Sequence, residues 1–475
     1  MIGHKATNVW GKVRVGDALR LINGRAFKPS EWKEKGLPIV RIQNLNNAEA
    51  PFNYYEGNLP EKFLLDSGDL LFAWSGTPGT SFGAHIWRGG KAWLNQHIFK
   101  VIFDEAEFDK RFLRLAINQN LNQYIQAAHG AAGLAHITKG MFEQSELIKP
   151  TLDEQRNIVA EIEKQFSRLD EAVASLKRTK ANLKRYKAAV LKAAVEGKLT
   201  EDWRNQHPDI EPANKLLERI LAERRAKSSG KGKNKESPAP DTSNLPALPK
   251  GWIWTQMDAV CEKIQDGTHF SPKEQSATGD FKYITAKNIK PWGLDLSELT
   301  YVSERVHRGI YSRCNPKKGD VLLIKDGVTT GIATVNPLDE EFSLLSSVAL
   351  LKPVRTALDS HYLKNWLNSP AGYRATTGKM TGTAIKRIIL EKIKEAPVPL
   401  PPLVEQQRVV AEVERRLSVI DELVSTVEAN LTRADRLRQA VLTCAFSGRL
   451  VDGNKTTVNS DRQIRGTELA ETSPF

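Results

Sequence analysis

The chain has 475 residues, 40% of them hydrophobic, with three cysteines and a formal net charge of +13 at pH 7. This length predicts two to four domains, and Cys261, Cys314 and Cys444, with no CxxC pair, exclude a disulfide scaffold and a thiolate zinc site and suit a reducing cytoplasm. The longest apolar run, Leu344 to Leu351, is too short to span a bilayer, the opening MIGHKATNVW lacks the layout of a secretory signal, and the positive charge points to a polyanionic partner.

In chain order, LPIVRIQNL (37–45), GDLLFAW (68–74) and HIFKVIF (97–103) read as strands. FDKRFLRLAINQNLNQYI (108–125) carries helical spacing. A long helix follows, with Ile162, Leu169, Leu176, Leu183 and Val190 every seventh residue and Phe166, Val173, Lys180, Lys187 and Ala194 between them. Residues 211–227 form an amphipathic helix with Leu216, Leu217, Ile220 and Leu221 on one face and Pro212 near its start. The Lys-, Ser-, Gly- and Pro-rich stretch 224–251 reads as a linker. GDVLLI (319–324) and SSVALLKP (346–353) are strands again. A second long helix carries Val413, Ile420, Val427, Ala434 and Val441 with Leu417, Val424, Leu431, Arg438 and Ala445. Gly197 and Gly448 stand where left-handed caps are expected. Lys180, Lys187 and Arg438 interrupt the seam and are expected to snorkel outward.

The second helix repeats the first. PTLDEQRNIVAEIEKQFSRLDE (150–171) lies without a gap over PPLVEQQRVVAEVERRLSVIDE (401–422), an offset of 251 that also places AVLKAAVEGKL over AVLTCAFSGRL. The offset holds upstream, with Gly68-Asp69 over Gly319-Asp320 and Gly76 over Gly327, and drifts to about 241–244 before residue 65. The charge follows the repeat, at +4 in residues 1–150 and +4 in residues 251–400. The organisation is therefore a globular domain (1–150), a long helix (151–200), an amphipathic helix and linker (201–250), a second globular domain (251–400), a second long helix (401–450) and a tail (451–475). The expected fold class is mixed α/β (α+β) for the duplicated heads, joined by two long helices. These pair as an intramolecular antiparallel coiled coil of pseudo-two-fold architecture; the linker length also allows a parallel pair.

Chemistry-bearing motifs are missing. There is no GxxxxGK[ST] phosphate loop, no HExxH, no GxSxG elbow and no GxGxxG fingerprint, and Asn315-Pro316 continues as Lys-Lys rather than as a methyltransferase tetrad. No catalytic residue, resident cofactor or metal is expected. Two mildly basic heads on rigid helices suit a two-headed DNA reader. In a symmetric antiparallel register Phe166 faces Val441 and Val173 faces Ala434. The 32 residues from Ile162 to Ala194 span roughly 48 Å at about 1.5 Å per residue, or roughly 14 base pairs of B-DNA.

LPKGW (248–252), PLPPLVEQQRVVAEVE (399–414), the EGKL and SGRL helix ends and LTEDWR…LLERILAERR (199–225), in a duplicated head-plus-helix order, resemble the specificity subunits of type I restriction–modification systems over about residues 10–451. The first head departs from the pattern, opening with NVWGKVRVGDAL and lacking Leu-Pro-x-Gly-Trp. The resemblance implies two target recognition domains that read the halves of a split double-stranded DNA sequence. It also implies two modification subunits that bind S-adenosylmethionine and methylate adenine, and restriction subunits that use ATP and Mg2+. Those activities would lie in the partners, within the cytoplasm.

Base readout needs Arg, Lys, Asn or Gln on loops or strand ends, with hydroxyls and glycine amides on phosphates. Paired across the repeat, the candidates are Arg41, Gln43 and Asn44 against Lys287 and Asn288. Ser75, Gly76 and Thr77 stand against Asp326, Gly327 and Thr329, and His129 and His136 against Lys379, Lys386 and Arg387. Glu154, Gln155 and the helix faces near Gly197 and Gly448 are candidates for partner contact. The alternatives are a single-chain DNA-modifying enzyme, marked by S-adenosylmethionine binding to the isolated chain, and a coiled-coil scaffold, marked by a sequence-independent footprint.

Overall fold

The computed structural model describes residues 10–47, 49–76, 80–121, 124, 135–227, 240–242, 245–270, 272, 275–378 and 387–450. The chain forms two compact units, one of residues 1–176 and 429–475, the other of residues 177–428. Each holds one head and a part of both long helices, Leu152–Val195 and Leu403–Phe446.

In the first unit Gly11–Arg14 pairs antiparallel with Glu146–Lys149. An antiparallel sheet follows, in the order Leu19–Asn23, Ile98–Phe103, Leu70–Ala73, Gly83–Ile86. Its apolar face packs under the helix Lys110–Gln119, which starts where Asp109 accepts from the amides of Arg111 and Phe112. The Asn118 side chain ties that helix to the sheet edge, accepting from Ala84 N at 2.8 Å and donating to Ala84 O at 2.9 Å. Phe72 stacks on Phe142 at 4.0 Å, and the same core takes in Phe112, Ile158, Ile162 and Ala445. A smaller sheet places Leu37–Val40 between Asn53–Tyr55 and Ala92–Leu94.

The second unit repeats the plan. Ile253–Gln256 pairs with Pro397–Leu400, and the main sheet runs Cys261–Asp266, Val348–Pro353, Val321–Ile324, Ala333–Val335. Asp359 caps the helix Ser360–Asn368, and Asn368 holds Ala333 N and O at 3.0 and 2.8 Å as Asn118 holds Ala84. Leu216 and Ile220 of the helix Ala213–Lys227 are buried beside Ala357 and Leu403.

Two details depart from the sequence reading. The strand expected over 37–45 ends at Val40, and Ile42–Asn46 is a short helix. The cause is Asn44, whose carbonyl accepts from Arg41 N at 3.0 Å and stops the extended run. Gln155 is also no partner contact, because it is fully buried. It accepts from Asp109 N and donates to Glu107 O and Pro150 O, each at 2.9 Å. Gln406 makes the same clamp with Asp359 N, Ala357 O and Pro401 O at 2.8, 2.8 and 3.0 Å.

The helices pair antiparallel within each unit. In the first, Arg438 salt-bridges Asp170 and lies over the Phe166 ring, 4.7 Å from its centroid. In the second, Lys187 meets Asp421 at 2.9 Å and Lys180 meets Glu428 at 2.7 Å. The three cations that break the apolar seam each reach an acid on the opposite helix. Along the seam Ile162, Val190, Val413, Ile420 and Val427 are buried, while Phe166, Leu169, Val173, Leu176, Leu183, Leu417, Val424, Leu431 and Val441 are partly so. Gly197 (φ +68°) and Gly448 (φ +81°) close the helices in the left-handed region.

Candidate nucleic-acid interface

Asn44 and Asn288 are not available to DNA. Asn44 is 5% exposed and donates to Ala50 O and Pro51 O at 3.2 and 3.4 Å. Asn288, 4% exposed, accepts from Thr285 N at 3.0 Å and donates to Asp295 O and Glu298 O at 3.1 and 3.2 Å. In both heads the buried amide closes a turn, accepting from the backbone at its start and donating to carbonyls at its end. Their neighbours remain at the surface. Lys287 is exposed. The Arg41 guanidinium lies 5.3 Å from the centroid of the Trp32 ring. Gln43 donates to Pro51 O at 3.2 Å, and both residues line a cavity of about 390 Å³ with Phe27, Trp32, Asn46 and Gln96.

The other candidates fall at one end of each main sheet. Ser75 and Gly76 pair with His136 and Ala135, and Asp326 bridges to Arg387. Both Ser75 to Asp326 and His136 to Arg387 obey the offset of 251, so the fold joins residues 61 positions apart identically in each head. Gly76 (φ +147°) and Gly327 (φ +105°) follow at once, and Thr329 and Val328 stand exposed on the second head's loop. Thr77, His129, Lys379 and Lys386 lie outside the described residues, and His136 is described by its backbone alone.

Sequence reasoning missed the residues beneath this surface. In the second head Lys325 is 5% exposed and places its ammonium 3.1 Å from Asp326 Oδ2 and 3.5 Å from Asp266 Oδ2. Asp266 is itself 2% exposed and meets Arg313 at 3.4 Å through Oδ1. In the first head the matching positions are Asn23 and Trp74, and the indole donates to the Asn23 carbonyl oxygen at 3.3 Å. Gly24 and Gly267 follow Asn23 and Asp266 because a Cβ would lie 2.1 Å from Asn95 O and 1.9 Å from Leu344 O. The available signal was an apolar strand, VLLI, ending abruptly in Lys325-Asp326.

Cys261 and Cys314, both buried, offer no nucleophile to this surface. Burial pushes the Cys314 thiol up to about 12 and raises Cys261 further. Among the described residues no group of three or more His, Cys, Asp or Glu is placed to hold a metal ion. No described helix is long and apolar enough to cross a membrane.

The type I restriction modification DNA specificity domain matches the chain twice, over residues 8–185 and 249–432. The chain is similar to the type I restriction enzyme EcoBI specificity subunit of Escherichia coli, 26% identical over 449 residues, covering 93% of this chain and 86% of that protein. The EcoDI specificity subunit of the same organism is 25% identical over 453 residues, covering 93% and 88%. Among solved structures, a chain from a type I R-M system assembly superposes with a TM-score of 0.64 at 20% identity, covering 94% of this chain and 100% of that one. The HsdS subunit from Thermoanaerobacter tengcongensis gives a TM-score of 0.52 at 19% identity, covering 93% and 97%. These structural likenesses speak for the duplicated fold. With two domain matches spanning well over half its length, the chain belongs to the type I restriction–modification DNA specificity family.

Proposed function

We propose that this chain is the non-catalytic, DNA-reading subunit of a type I restriction–modification complex. Each head reads one half of a split, asymmetric target, and the paired helices set the spacer and dock two modification subunits. The observation that carries this reading is the contrast within the repeat. The glutamine clamps, the aspartate caps of the head helices and the main-sheet order are the same in both heads, while the residues at the sheet ends differ in charge and hydrogen-bonding capacity: Asn23, Trp74 and Ser75 against Asp266, Lys325 and Asp326. A common frame with changed tips is what two different half-sites require. Docking on the helices is supported by apolar side chains left exposed there, Val419 and Leu423 one turn apart on the second helix and Tyr186 on the first. S-adenosylmethionine would be bound by the modification subunits, and ATP and Mg2+ used by restriction subunits, in the cytoplasm.

Sequencing of methylated sites in DNA from cells carrying this chain with its partners tests the reading. A split, adenine-containing motif with a fixed gap near 14 base pairs is expected; methylation without such a motif would defeat it. Inserting one heptad into each helix should lengthen the gap by about three base pairs, since seven residues add roughly 10 Å.

A further inference from the structure

We infer that Arg387 reads a guanine in the half-site bound by the second head, and that Asp266, Lys325 and Asp326 are positioning residues holding its guanidinium for that task. This rests on the DNA-reading function proposed above and deepens it. Arg387 donates from Nε to Asp326 Oδ1 at 2.9 Å, with its side chain 60% exposed against 13% for Asp326. Its two terminal nitrogens have no hydrogen-bond partner among the described residues and remain as a pair of parallel donors. Asp326 cannot turn away, because its other oxygen is held by Lys325 at 3.1 Å, and Lys325 is anchored in turn by Asp266. The backbone is pinned as well: Lys325 N donates to Ser347 O and Ile388 N donates to Lys325 O, each at 2.9 Å. The chain of charges therefore runs from the interior to one outward-facing fork.

Three physical points select guanine. A fork of donors matches the two acceptors O6 and N7 of guanine in the major groove, whereas adenine and cytosine each present an amino group that would oppose it. The Asp326 carboxylate beside the guanidinium offsets much of its charge and repels a phosphate, which favours a neutral acceptor edge over the backbone. Two ions buried with their partners are costly to maintain for a surface bridge alone, and fixing Arg387 beforehand lowers the ordering cost of each base contact. The first head holds Asn23, Trp74 and Ser75 in place of this charged chain, so the device serves only one half-site.

The test uses the assembled complex with Arg387→Ala, Arg387→Gln and Asp326→Asn. The methylated motif first locates each specified guanine, and competition binding then compares duplexes carrying each of the four bases there. Arg387→Ala should lose roughly 5- to 150-fold of the preference for guanine at one position of one half-site, with the other half and the gap unchanged. Arg387→Gln should shift that position toward adenine, a gain that misfolding does not produce. Asp326→Asn should weaken the guanine preference while the salt dependence of binding steepens by about one charge, whereas a purely structural role would lower affinity for all four duplexes alike. Unchanged base preference in both Arg387 variants, or uniformly weaker binding to all four duplexes, would overturn the inference. So would a wild-type motif with no guanine in either half, and that result leaves the DNA-reading function standing. Absence of any split motif would instead remove the function on which the inference rests.

Discussion

The two heads start their long helices with the same glutamate and use it differently. In the first, Thr151 and Glu154 form a capping box: Glu154 Oε2 accepts from Thr151 N at 2.8 Å and Thr151 Oγ1 accepts from Glu154 N at 3.4 Å. The Trp10 indole also donates to Glu154, at 3.3 Å. In the second, Pro402 stands where Thr151 does and has neither an amide hydrogen nor a hydroxyl. Glu405 is released from capping and turns inward, 1% exposed, to accept from Thr200 Oγ1 at 2.7 Å, Arg204 at 2.6 Å and the Trp252 indole at 2.8 Å. The same glutamate is thus a surface cap in one head and part of a buried ionic node in the other, where Thr200 and Arg204 stand over Val451 and Lys455 of the repeat. The first head lacks Leu-Pro-x-Gly but keeps a counterpart of the tryptophan, since Trp10 makes there the bond to glutamate that Trp252 makes in the second. An identical residue in a repeat marks an identical backbone position, and its partners decide its role.

Glu405→Ala leaves the Arg204 cation uncompensated and should cost about 3–5 kcal/mol. Glu154→Ala removes a cap and should cost only about 0.5–2 kcal/mol. Denaturant unfolding followed by hydrogen exchange within each unit measures both, and equal losses would show that the two glutamates are not different. Next in size, Asn44→Ala and Asn288→Ala should each cost about 1–3 kcal/mol through loss of their turn-closing hydrogen bonds, leaving the methylated motif unchanged. A relaxed base position with stability intact would return these residues to the DNA-reading set.

Desolvation holds the imidazoles of His85 in the first head and His307 in the second below their ordinary 6.5. His307 is packed 3.9 Å from Phe281, with Glu341 partly opposing the shift. The unfolded chain takes up these protons near pH 6.5 while the folded heads resist. Stability should therefore fall as pH drops through 6.5 and level off below the folded values. His307→Phe should remove the acid-side loss from the second unit alone, read as unit-resolved melting between pH 7.5 and 5. The smallest effect belongs to the seam. Lys187→Ala and Arg438→Ala break equivalent, partly exposed bridges to Asp421 and Asp170, and each should cost less than about 1 kcal/mol. A larger loss at either one would show that the two seams are not equivalent.

The heptads and the repeat were legible because they are local and periodic. Apolar residues at seam spacing lie along one helix stripe whatever surrounds them, and an offset of 251 survives any folding. The pairing of Ser75 with His136, and of Asp326 with Arg387, was prepared by that offset but not visible in it, since nothing local joins residues 61 apart. Asn44, Asn288 and Gln155 misled for the converse reason. Polar side chains shared by two copies resemble readers or partner contacts until their burial is known, and burial is a property of the packed domain.

Two versions of one head-plus-helix unit can be read from residue order alone, because duplication and heptad spacing are written in it. Packing across the fold settled which polar residues the interior consumes and which reach the surface. It ran the two helices antiparallel within each unit. It also buried Asp266 and Lys325 behind Arg387, because hydrogen-bond and charge partners are chosen by proximity across the fold rather than along the chain.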